Sequence, residues 1–81
     1  MGATHEEKIL EELMGKAMYR IHFKPNKKYG SNCGYIGFRD MFDWRYVIRE
    51  WKGIDHNDET DPILARYNSA HDLIMDGWEL D

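Results

Sequence analysis

Between residues 53 and 62 the chain reads GIDHNDETDP, one histidine and four carboxylates in ten positions. These are metal-ligand residue types, yet Asp55, His56, Asp58 and Glu59 simply follow one another along a turn-rich segment. A tetrahedral cation needs ligands that a helix or separate elements aim at one point. A calcium loop spaces its oxygen donors in a pattern that this segment lacks. The spacing therefore predicts no metal and no cofactor. A polar turn leading into a helix is the expectation, with Asp61 as N-cap and Pro62 at the first helical position, where a missing N–H costs nothing.

Nucleophilic chemistry has one candidate, because Cys33 is the only cysteine. His22 or His71 is available as a base, and Arg20 or the lysines of residues 24–28 as cations that depress a thiol pKa. No oxyanion donors are identifiable, however, and a lone cysteine in a short strand reads as a small core residue. A single cysteine also excludes an intrachain disulfide. His71 reads as a hydrogen-bonded packer on an apolar stripe, and His5 as solvated. No catalytic residue is assigned, and the expectation is a protein that is not an enzyme.

Two charged constellations remain. HFKPNKKYGSN, residues 22–32, places Lys24, Lys27, Lys28 and Tyr29 at one tip, with Arg20 and His22 extending the patch. A basic loop with an aromatic grips phosphates and stacks on an exposed base. The second constellation is acidic: Asp55, Asp58 and Glu59 with Asp72, Asp76 and Glu79, expected to line one exposed surface. Asp72 and Asp76 are one turn apart on a helix, a like-charge pairing that costs ~0.2–0.5 kcal/mol. Asp76 also sits at the negative end of the helix dipole. Breaking local rules without evident return marks functional surfaces. Internal pairing with Arg45, Arg49 or Lys52 is the structural alternative.

The charge is blocked along the chain. Residues 1–14 carry one Lys and four Glu, residues 15–53 nine basic and three acidic side chains, and residues 54–81 one Arg and eight acids. The net charge of −4 thus conceals a basic middle between acidic ends.

These side chains need elements to hold them. An 81-residue chain with 42% hydrophobic and 14% aromatic residues forms a single domain with one modest core. THEE at residues 4–7 is a capping box, so a first helix runs over 4–14 and stops at Gly15. MYRIHFK, residues 18–24, alternates as a half-buried strand, with Tyr19, Ile21 and Phe23 on one face. CGYIGF, residues 33–38, is the return strand, in which Gly34 and Gly37 imply a bulge or a close neighbour. Met41, Trp44, Val47, Ile48 and Trp51 recur at helical spacing, predicting a second helix from Asp40 to Gly53. Leu64, Tyr67, His71, Ile74 and Trp78 predict a third helix after Asp61, closed by a left-handed cap at Gly77 that folds Trp78 back on Leu73. WELD, residues 78–81, alternates and reads as a short C-terminal strand. The expected fold is α+β, a small antiparallel hairpin sheet packed against three helices in the order α–β–β–α–α.

Residues 1–7 lack a basic region and an apolar stretch, and Glu6 breaks the myristoylation pattern. No apolar run approaches the ~18 residues of a membrane span. With one cysteine, a cytoplasmic setting and no membrane partner follow as expectations. The functional expectation is a small interaction or inhibitor protein whose acidic surface docks on a basic groove of a larger nuclease or other nucleic-acid-processing enzyme, as a nucleic-acid mimic. In size and charge alone it is comparable to small acidic phage proteins that inhibit CRISPR nucleases or restriction enzymes; no motif carries that comparison. The alternative is a nucleic-acid-binding module that works through the basic hairpin tip.

Overall fold

The computed structural model describes residues 4–16 and 18–81. Residues 1–3, read above for a signal or acylation pattern, lie outside them. The elements are α1 (His5–Leu13), β1 (Ile21–Asn26), β2 (Asn32–Ile36), α2 (Phe38–Phe42), β3 (Tyr46–Trp51), β4 (Ile63–Tyr67) and α3 (Ala70–Met75), with a 3-10 turn at Lys27–Tyr29. The fold is α+β. Its four strands pair antiparallel in the order β1-β2-β3-β4.

The capping box at the start of α1 is present, Glu7 N–H donating to Thr4 Oγ1 and Thr4 N–H to Glu7 Oε2. Gly15 follows α1 with φ +84, and its N–H donates to the Met41 carbonyl, joining the end of α1 to α2. The left-handed cap at Gly77 also forms, with φ +95, and Trp78 folds into the core beside Leu73. The C-terminal segment pairs with β1: Phe23 bridges Leu80, Lys24 N–H donates to the Glu79 carbonyl and Asp81 N–H to the His22 carbonyl.

Two expected helices are corrected. Residues 40–52 are not one helix: α2 ends at Phe42 and β3 begins at Tyr46. Val47 and Ile48 are both buried, one on each face of the sheet. A strand covered on both sides loses its polar alternation and reads as an apolar run. Residues 61–76 divide likewise into β4 and α3. Leu64, Tyr67, Ile74 and Trp78 do pack on the core, but from β4, α3 and the segment after α3. The missed stop is Asn68-Ser69, where the Ser69 side chain accepts from Asp72 N–H and caps α3. His71 accordingly leaves the apolar stripe and stands exposed on α3.

The core lies between the helices and one sheet face. Leu10 and Met14 from α1 and its cap, Met41 from α2 and Leu73 from α3 pack on Ile21, Phe23, Ile36, Ile48 and Trp78. Gly34 of β2 is where that packing is tightest. A Cβ there would lie 2.4 Å from Ile48 Cγ2 and 3.1 Å from the Trp78 ring. The glycine reads as the close-neighbour signal that its sequence context implies.

Candidate functional site

The opposite sheet face carries His22, Tyr35, Arg49 and Trp51, placed there by the registers His22↔Tyr35, Tyr35↔Arg49 and Cys33↔Trp51. Residues 52–62, the acidic loop, fold over this face rather than standing in solvent. His56 stacks on Trp51 with centroids 5.1 Å apart, meets Tyr35 edge-on at 4.7 Å, and lies 2.9 Å from His22, Nε2 to Nε2. One imidazole must donate and the other accept across that contact, so the pair excludes a second proton there. Burial, and then His56, hold the His22 pKa below its ordinary value.

The loop acids are fasteners. Asp58 accepts from Arg20 Nε at 2.9 Å and from Phe38 N–H at 3.0 Å, in space that a Gly37 side chain would fill. Asp61 is not a helix cap; it accepts from Tyr35 Oη at 2.6 Å and from Asn57 N–H at 2.9 Å. Backbone hydrogen bonding first, and then Tyr35, hold its carboxyl below the usual range, while burial first pushes Tyr35 up. Asp55 and Glu59 remain exposed.

A second polar cluster joins the hairpin tip to the end of α3. Asp76 accepts from Lys28 Nζ, Tyr29 Oη and, at 2.5 Å, Tyr67 Oη. Tyr67 Oη in turn accepts from the buried Trp78 indole N–H at 2.9 Å. Tyr29 stacks on Trp78 with centroids 5.2 Å apart. Hydrogen bonds from Lys28, then from the two tyrosines, bring the Asp76 pKa down to about 2. The apparent conflict of Asp76 with the helix dipole is thus resolved by cross-chain donors. Asp72 is no conflict either, because it lies in the first turn of α3, where an acid is favourable.

The six acids of the acidic constellation do not form one surface. Asp55, Asp58 and Glu59 belong to the loop over the second sheet face, whereas Asp72 and Asp76 belong to α3 on the core side and Glu79 to the segment beside β1. Asp58 and Asp76 are internally paired; the partners are Arg20 and Lys28, not the Arg45, Arg49 or Lys52 considered from sequence. The basic constellation divides as well. Lys28 and Tyr29 serve Asp76, Arg20 serves Asp58, and Lys24 and Lys27 stay exposed.

Neither base considered for Cys33 is hydrogen-bonded to it: His22 contacts His56, and His71 Nδ1 lies 2.6 Å from Glu7 Oε1. Among the described residues no group of three or more His, Cys, Asp and Glu side chains is arranged to hold a metal ion. No helix among them is long and apolar enough to cross a membrane.

Exposed acids that sequence reasoning passed over lie on α1. Glu11 and Glu12 face solvent, and α1 packs against α3, which presents Asp72. Their signal was the block of four Glu in residues 1–14, set aside because only their capping role was considered. Compared with known proteins, the chain matches no family model, no curated protein and no solved structure.

Proposed function

We propose that the chain is a non-enzymatic interaction protein that docks on a basic, nucleic-acid-binding surface of a larger partner, such as the groove of a nuclease. The docking face is the helical side, through Glu11, Glu12, Asp72 and Glu79. One observation carries this reading. These four acids are exposed and form no ion pair among the described residues, whereas Glu7, Asp40, Asp58 and Asp76 each face a cationic or basic side chain. The acids needed by the fold are matched; of the unmatched ones, Glu11 and Glu12 lie on α1 and Asp72 on α3, while Asp55 and Glu59 stay exposed on the loop over the second sheet face. A field of one sign accelerates encounter with an oppositely charged groove and rejects wrong partners. The resemblance in size and charge to phage inhibitors of nucleases is consistent with a nucleic-acid mimic acting in anti-defence.

The hairpin tip supports direct nucleic-acid binding less well, because Lys28 and Tyr29 are occupied by Asp76. The histidine–tyrosine cluster likewise gives little support to catalysis, since its polar atoms satisfy one another. The test is capture from nuclease-treated lysate on the immobilised chain, comparing wild type with Glu11→Lys/Glu12→Lys/Asp72→Lys. The expected result is a basic nucleic-acid enzyme retained by wild type, released as salt rises and lost with the variant, whose stability falls by little more than the helix-dipole share of Asp72, about 0.3–1 kcal/mol. A partner held equally by the variant, or capture that disappears with nuclease treatment, defeats the proposal.

A further inference from the structure

The α2–β3 turn carries a feature of opposite sign. An open concavity of about 570 Å³ lies at the α2–β3 turn and the adjacent ends of β3 and β4. Three of the chain's five arginines, Arg45, Arg49 and Arg66, line it, together with Trp44 and Tyr67, and Asp40 is its only acid. In a chain of net charge −4 this is a local reversal. Arginine, rather than lysine, is the side chain that both forks phosphate and lies flat on a ring.

Three observations separate the concavity from an ordinary solvated surface. Arg49 Nε is buried and has no hydrogen-bond partner, its nearest carboxylate oxygen, on Asp40, being 3.8 Å away. Buried donors are almost always satisfied, so an unmet one on a side chain that lines the concavity marks a guanidinium short of acceptors. Burial also pushes the Asp40 carboxyl up, against the opposing pull of Arg49 and Arg45. Arg66 is exposed and has no ion pair among the described residues, and Arg45 approaches Asp43 only to 4.0 Å. The third observation is backbone strain. Trp44 holds φ +57, a left-handed conformation unfavourable for a bulky aromatic, while 56% of it stays exposed at the rim. Strained backbone persists where the surroundings impose it, and it concentrates at ligand sites.

We infer that this concavity binds a nucleotide unit, with the phosphate on Arg45, Arg49 and Arg66 and the base against Trp44. Its volume is in the range of small-ligand pockets, about 300–1,000 Å³. The site borders the α1 acids, Glu11 and Glu12 lining a hollow that shares Trp44 with it, but takes its ligand contacts from the arginines and Trp44. The same chemistry occurs in a free nucleotide and in single-stranded nucleic acid. Arg49 Nη1 donates to the Asp61 carbonyl at 2.7 Å, so the acidic loop fixes one arm of this guanidinium at the edge of the concavity.

The test is a nitrogen–proton NMR titration of the full chain at low salt, following the Trp44 indole and Arg49 Nε–H signals. The probes are 5′-AMP, adenosine, inorganic phosphate and a short oligothymidylate. Saturable shifts of both signals with 5′-AMP, well beyond those with adenosine or phosphate, support the site. Arg45→Ala/Arg66→Ala should weaken binding by about tenfold or more, with an unchanged melting temperature. Trp44→Gly removes the strained aromatic and should lose the preference for 5′-AMP over phosphate. Binding of the oligothymidylate tighter than that of 5′-AMP assigns the site to single strands; binding no tighter assigns it to free nucleotides. No saturable shift with 5′-AMP or oligothymidylate, an equal response to phosphate alone, or full affinity in the double-alanine variant overturns the inference.

Discussion

Replacing Asp76 by Asn tests whether this acid belongs to the fold rather than to a docking face. The carboxylate accepts from Lys28, Tyr29 and Tyr67. Its pKa falls from the ordinary 3.8 to about 2, a gap that corresponds to about 2.4 kcal/mol at most. The Lys28 side chain is 64% exposed, so solvent screens its share and about 1 kcal/mol is the safer lower figure. Asn also places an amide N–H₂ against one of two hydroxyl donors. The expected cost is therefore about 1–2 kcal/mol, or a melting temperature lower by about 4–16 °C for a domain of this size. The sign of the pH dependence follows from the depressed pKa. The stabilisation is full above 3.8, declines as pH falls, and is largely gone near 2. Thermal melts of wild type and Asp76→Asn should thus differ most at neutral pH, the gap shrinking to about a third near pH 2.5. Asp72→Asn is the control, losing only the helix-dipole contribution of about 0.3–1 kcal/mol. Equal melting of Asp76→Asn and wild type at neutral pH, or a gap indifferent to acid, would refute the fold-stabilising role.

Other expectations are accessible to the same measurements. Tyr67→Phe should cost about 1–3 kcal/mol, because it leaves the buried Trp78 indole N–H without its acceptor. Tyr29→Phe removes a donor to Asp76 without stranding that indole, so it should melt clearly higher than Tyr67→Phe; the reverse order would rule out the proposed network. Gly34→Ala should destabilise by about 1–3 kcal/mol through overpacking against Ile48 and Trp78, and neutral behaviour in chemical denaturation would count against the close packing. The lowered pKa of His22 predicts stability that is full above pH 6.5 and declines below it. Melting temperatures measured from neutral pH to pH 5 should show that decline in wild type and a flatter profile in His22→Gln; parallel profiles would speak against the histidine pair as its source.

The parts of the fold legible in the sequence are those specified by local chemistry. Thr4 and Glu7 form their box, Gly77 forms its cap, and Ile21 and Phe23 alternate into the core, whereas Tyr19, expected on the same face, precedes β1 and is exposed. What failed was the choice between periods for residues 46–51, where Val47, Ile48 and Trp51 fit a helical stripe as well as a doubly covered strand. The second face is covered by the loop at residues 52–62, and that coverage is a tertiary fact. Asp58, 38 positions from Arg20, and Asp76, 48 from Lys28, illustrate the same limit for the candidate site. Their residue types announced charge; which charges cancel was decided by distant partners.

The charge blocks acquire meaning once the chain is folded. The basic middle of the sequence builds β1, β2, α2 and β3, and the acidic ends contribute α1, the loop, β4 and α3. The loop returns part of the acid to the basic side, where Asp58 meets Arg20 and Asp61 meets Tyr35. Lys28 crosses to the helical side to meet Asp76. What these exchanges leave includes Glu11, Glu12 and Asp72 on the helices, Arg45 and Arg66 at the concavity, Asp55 and Glu59 on the loop, and Lys24 and Lys27 at the hairpin. On the proposed docking reading, the acids of α1 and α3 would supply the field that orients a small protein before contact is made.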